Sequence, residues 1–214
     1  MKSIKEIMAE ARRTGRDPLV ILKSDPDWVR GQAERDSKTR QLEKLLADDA
    51  TPLAQALAAC NYRVETAWDL VNAQYSYRSA LPVLVEHLQR PYHPRNLEGI
   101  VRALTVPPAR SLAWDALLAV ARKPVSSAPE ESLQDAAFNA LAVIATKADL
   151  PTLAQMVLDR TLGSGRSAFL IRLRRSKYPD IESILARSME DPDLAPQARI
   201  EARKLARKKP RADR

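Results

Sequence analysis

Apolar residues in this chain recur at intervals of three and four, and no segment alternates apolar with polar at intervals of two. Leu81, Leu84, Val85 and Leu88 occupy positions i, i+3, i+4 and i+7, one face of a helix with 3.6 residues per turn. Leu150, Leu153, Ala154, Val157 and Leu158 carry the rule to i+8, and Ile181, Ile184, Leu185 and Met189 repeat it. Further stripes run through Leu97, Ile100, Val101 and Leu104, through Ala113, Leu117 and Val120, and through Leu133, Ala137, Leu141 and Ile144. A half-buried strand requires the alternation that is missing, so the pattern predicts an all-α fold. Ala and Leu are abundant, and like Arg, Glu and Gln they are good helix formers. Fifteen prolines accompany only five glycines, and a proline at the first turn of a helix loses no hydrogen bond. Helix starts are accordingly expected at Thr51-Pro52, Pro107-Pro108, Asp149 before Leu150-Pro151, Pro179-Asp180 and Ala195-Pro196.

The helices themselves recur. Ala137-Phe138 stands thirty-one residues before Ala168-Phe169, and Ala198 follows thirty residues after Ala168. Asp149 has its counterpart at Asp180, again thirty-one residues on. Upstream, "RAL" at 102–104 matches "NAL" at 139–141, the interval stretched by the insert "KPVSSAPEES". This period holds two short helices and two turns. One pair cannot bury both apolar faces alone, so successive pairs must stack.

Paired helices with a small residue midway along the first (Ala137, Ala168, Ala198) and an acidic turn at Glu190 to Asp193 after the second resemble short bacterial HEAT repeats. That type also occurs in phycobilin-lyase-like proteins. The stretch from "WDLVNAQYSYRSALPVL" to "SLAWDALL" is similar to small bacterial HEAT-like proteins as well. The resemblance implies a right-handed α-solenoid of four or five antiparallel helix pairs over residues 50–208. It carries no catalytic motif and implies no activity. Residues 1–49 fit the repeat poorly and read as an N-terminal helical extension. There Ser3 is expected to cap a helix ending at Gly15, Asp25-Pro26 to open another, and "PLVILKS" at 18–24 to form a strand-like link or a helical turn. The largely charged run from Arg30 to Lys44 predicts a long exposed helix docked only at its ends. Residues 209–214 form a basic tail.

Cys60 is the sole cysteine, so no intrachain disulfide can form and a reducing compartment is expected. The charged N-terminus is no secretory signal, and no run reaches the roughly 18 apolar residues that span a bilayer. A soluble, cytoplasmic, monomeric protein without membrane association or cofactor is the expectation.

"GSGRS" at 163–167 has the look of a phosphate-cradling loop, in which glycines bare backbone N–H groups. A P-loop needs glycine at 160 and lysine at 166, where Arg160 and Arg166 stand, and a strand before it, where the spacing is helical. The segment is expected to be an inter-helix corner whose glycines adopt left-handed backbone angles. His87 and His93 lack a third ligand at zinc-binding spacing. Trp68-Asp69 and Trp114-Asp115 have a faint likeness to HEAT-like glycosylases for alkylated bases. There an aromatic presses on the lesion and a carboxylate stabilises positive charge at the sugar. Packing of both tryptophans between helices is the alternative.

Charge is the clue with a quantity behind it. Residues 160–214 hold 15 Lys and Arg against seven Asp and Glu, whereas residues 1–159 hold 20 of each. Phe169, Leu170 and Leu173 form the apolar stripe of their helix, which sends Arg172 and Arg175 to the other side. Together with Arg166, Arg203, Lys204, Arg207 and Lys208 they are the candidate binding residues, either an anion-binding surface or a solvated cap. Arg166 and Arg102 can alternatively clamp a neighbouring repeat. The functional expectation is a non-enzymatic interaction module, with a protein partner on the concave face of the second helices. Nucleic-acid binding, with glycosylase activity as its catalytic form, is the alternative.

Overall fold

The computed structural model describes residues 2–207, so Lys208 and the tail 209–214 lie outside the described residues. Every regular element among the described residues is helical, with twelve α-helices joined by turns and short 3₁₀ segments. Contacts divide the chain into two units that meet between Asp48 and Asp49.

In the first unit, α1 (Ile4–Thr14) is opened by a reciprocal cap between Ser3 and Glu6 and closed by Gly15 at φ 68°. The "PLVILK" segment is helix α2 (Pro18–Lys23). The Asp17 carboxylate starts it by accepting the Leu19 N–H at 2.7 Å. Asp25 does the same for α3 (Pro26–Ala59), taking the N–H groups of Asp27 and Trp28. The division between the units falls within this helix: its only buried residues, Ala50, Leu53 and Leu57, lie in the last third, which belongs to the second unit. The expected start at Thr51-Pro52 is corrected: Pro52 lies inside α3, which continues through it. Burial of Leu53 and Leu57 just beyond keeps the helix going despite the missing N–H.

The second unit contains the end of α3 from Asp49 on, then α4 (Ala67–Val71), α5 (Leu81–Leu88), α6 (Pro94–Ala103), α7 (Arg110–Ala121) and α8 (Ala128–Ile144). It continues with α9 (Leu150–Leu158), α10 (Ser167–Arg175), α11 (Ile181–Ser188) and α12 (Ala195–Ala206). Neighbours follow a two-row order. The helices α4, α6, α8, α10 and α12 each pack against the next of that row. Facing them, α5 packs on α7 and α9 on α11. Cross-contacts pair α5 with α6, α7 with α8, α9 with α10 and α11 with α12.

The predicted stripes form this core. Leu84, Ile100, Val101, Leu117, Leu141 and Leu153 are fully buried. The recurring Phe138 and Phe169 meet edge to face, ring centres 5.5 Å apart, which joins α8 to α10. Ala137 and Ala198 are fully buried too, their small side chains letting helices come close. The other expected starts hold: Pro108, Pro151 and Pro196 sit in first turns, and Asp180 precedes α11.

Candidate interaction groove

The basic cluster separates into buried and free members. Arg166 is 1% exposed. Its guanidinium donates to the Val157 and Leu162 carbonyls and, at 2.7 Å, to the carboxylate of Asp191 in the acidic turn. This corrects its place among the binding residues: it clamps one helix pair to the next. Burial alone would raise the Asp191 pKa, but the bonds from Arg166 and the Asp193 N–H outweigh it and hold the group below the usual range. Arg102 differs, bonding to Glu98 one turn back on its own helix, while Glu98 also accepts from Ser132 on α8.

Arg174 and Lys204 both bond to Glu201, whose carboxylate is fully buried and further accepts from Gln197. Burial pushes that carboxyl up, and its two cations bring it below its ordinary value. Lys204 is therefore a structural partner, although half its side chain is exposed. Arg172 does not simply point away from the stripe either. It is half-buried, one nitrogen donating to the Ala145 carbonyl at the end of α8, while its Nε is buried with no partner among the described residues. Arg175, Arg203 and Arg207 are exposed, and Lys208 lies outside the described residues.

"GSGRS" is a corner, a 3₁₀ turn from Ser164 to Arg166 leading into α10. Its glycines do not take left-handed angles, contrary to expectation: Gly163 is extended and Gly165 has no positive φ. Space is the reason for Gly165. A Cβ there would lie 1.9 Å from the Asp135 carboxylate and 2.7 Å from the Phe138 ring.

The other candidates are committed to structure. His87 is 2% exposed and bonds through Nδ1 to the Tyr92 hydroxyl at 2.7 Å, while His93 caps α6 through the Arg95 N–H. Asp69 caps α4, accepting the N–H groups of Glu65 and Thr66. Trp114 is buried beneath the Arg110 guanidinium, 4.6 Å from its ring centre. Trp68 is 36% exposed; its Nε1 donates to the Arg95 carbonyl, and it lies against Gly99 with Arg102 over its ring.

What stays open is a groove along α8 and α10. One hollow, about 370 Å³, lies between Asn139, Ala142 and Val143 of α8 and Ala168, Ile171, Arg172 and Arg175 of α10. A second, about 380 Å³, shares Asn139, Ala168 and Ile171 with it and continues past Asp135, Ser164, Gly165 and Ser167 to Asp193, Pro196 and Gln197. The two hollows adjoin at Asn139, Ala168 and Ile171, with Arg172 and Arg175 lining one side and Asp135 and Asp193 the other. Asp135 is half-buried, and its carboxylate has no donor or cation among the described residues. Burial first, then Glu131 and Glu98, push its pKa up. A larger hollow of about 460 Å³ lies near Tyr92, Pro124 and Gln134, but the Gln134 amide there is spent on the Ala121 and Lys123 carbonyls.

Two charged pairs were missed by sequence reasoning. Arg174 stands four residues after Leu170 and Glu201 three after Ala198, so opposite charges occupy apolar-stripe positions on adjacent helices. That coincidence was readable. Asp149, expected only to open a helix, also binds Arg110 thirty-nine residues away through both oxygens, a match no local pattern marks. The arginine's hydrogen bonds hold Asp149 down to about 2.

Comparison with protein-family models, curated proteins and solved structures found no match in any of the three. Among the described residues no group of three or more His, Cys, Asp or Glu is placed to hold a metal ion, and no helix is long and apolar enough to cross a membrane.

Proposed function

We propose that the second unit is a short right-handed α-solenoid of the HEAT-like type, acting as a non-enzymatic module that binds a protein segment in the groove along α8, α10 and α12. The two-row order of neighbours supports the solenoid reading, because helices touch the next in their own row and helices of the facing row. The observation that carries the binding reading is the shared floor of Asn139, Ala168 and Ile171, which turns two hollows into one elongated channel. An elongated channel with an apolar middle and polar ends suits an extended chain. The groove lies on the row of helices that carries the small residues Ala137, Ala168 and Ala198, the first helices of the sequence repeat, where the sequence alone pointed to the second.

Charge pairing weighs against the nucleic-acid alternative. Arg166, Arg174 and Lys204 are held by Asp191 and Glu201, and the free Arg175 shares its channel with Asp135 and Asp193. A polyanion along this face meets carboxylates as well as cations.

The test compares partner capture with oligonucleotide binding across a salt series. Ala168→Arg, which fills the floor, is expected to abolish capture, and Arg203→Glu with Arg207→Glu to leave it intact. Oligonucleotide binding that falls steeply with salt and disappears in Arg203→Glu with Arg207→Glu would overturn the proposal.

A further inference from the structure

The geometry points to a specific guest, and the inference rests on the groove reading above: an extended protein segment with a cationic side chain and a carboxylate three or four residues apart. The cation sits at Asp135 and the carboxylate at Arg175. Three observations carry this.

The first is the unanswered charge at one end. Asp135 is half-buried against Gly165, without a cation or donor among the described residues, and the nearby Glu131 and Glu98 deepen the negative field. The neighbouring Asp193 is shared only at 3.8 Å with Arg166 and is largely exposed. Ser164 and Ser167 line the same end and offer oxygen acceptors to an ammonium or guanidinium. Other buried carboxylates of this unit, Asp149, Asp191 and Glu201, have their own arginine. A guest cation would give Asp135 what they already hold.

The second is the opposite end. Arg175 is exposed, and Arg172 lines the same hollow beside it. The exposed Arg175 guanidinium can bind a carboxylate through paired N–H bonds, and Arg172 adds positive charge beside it.

The third is the distance between the ends. Asp135 lines the anionic end and Val143 the cationic end, eight residues apart on α8. Ser167 and Arg175 are likewise eight residues apart on α10. At about 1.5 Å per residue the poles lie about 12 Å apart. An extended chain rises about 3.3 Å per residue, so three or four residues span them. Between the poles, the small Ala168 and Ala142 leave room for apolar side chains.

The experiment is a display library of random heptapeptides panned on the immobilised full-length protein and counter-selected on Ala168→Arg. Enriched peptides are then synthesised and measured by fluorescence anisotropy against wild type, Asp135→Asn and Arg175→Gln, each of which removes one charge and keeps a polar side chain. Enriched sequences should carry Lys or Arg and Asp or Glu three or four positions apart, and each variant should weaken binding by about tenfold. Groove-dependent peptides without that charge spacing, or affinities unchanged in both variants, overturn the inference and leave the groove reading standing. No peptide that Ala168→Arg rejects, or an oligonucleotide that competes for the same site, overturns both.

Discussion

Asp149 shows how single contacts decide both stability and site in this protein. Its carboxylate takes two bonds from Arg110 and caps the turn at Thr146. With its pKa lowered to about 2 from 3.8, the folded state binds its proton less readily than the unfolded chain. Its contribution is therefore complete above about pH 4 and lost as pH falls from about 4 to 2, on the order of 2 kcal/mol. Acid titration of urea unfolding should show this loss in wild type, and Asp149→Asn should flatten the profile in that window. Arg166 is the deeper case. Arg166→Ala strands Asp191 in a buried position and should cost about 3–5 kcal/mol in chemical denaturation. The same measurement tests Gly165. Gly165→Ala forces a methyl group against Asp135 and Phe138 and should destabilise by about 1–3 kcal/mol. The nucleotide-loop likeness of "GSGRS" failed for a readable reason, the absence of glycine and lysine at the required positions. The actual demand on Gly165 was not readable, because it comes from α8, thirty residues upstream.

At the scale of elements the apolar stripes were legible because each helix buries one face, so burial and sequence period coincide. Phe138 and Phe169 stood out as a recurrence, and their edge-to-face contact is what the recurrence encodes. Phe169→Ala should lower the thermal midpoint markedly, with a loss of about 3–5 kcal/mol. The proline rule served well except in α3. Pro52 marks a helix start by local chemistry, yet burial of Leu53 and Leu57 keeps the helix running through it. Pro52→Ala restores a main-chain hydrogen bond and should stabilise the protein by about 1–3 kcal/mol in urea unfolding, less than the full interior penalty because proline also restricts the unfolded chain. The buried ion pairs follow a different logic. They match residues 25 to 39 positions apart on separate helices and turns, and a stripe on one helix says nothing of its partner's charge.

For the whole molecule, the sequence located a basic C-terminal surplus but not its distribution. Summed charge treats Arg166, Arg174 and Lys204 like Arg175, although three of these four are neutralised locally. Only packing separates structural cations from available ones, and only packing shows a half-buried Asp135 at the far end of the channel that holds Arg175. The groove was invisible for the same reason, since α8, α10 and α12 supply a few residues each across some sixty positions. Where a bound segment lands distinguishes this groove from the opposite row of helices. Amide chemical shifts followed while a groove-selected heptapeptide is added provide the most direct measurement. The changes should centre on Asn139, Ala142, Ala168, Ile171 and Arg175 and extend toward Asp135. Changes centred instead on α9 and α11 would contradict it.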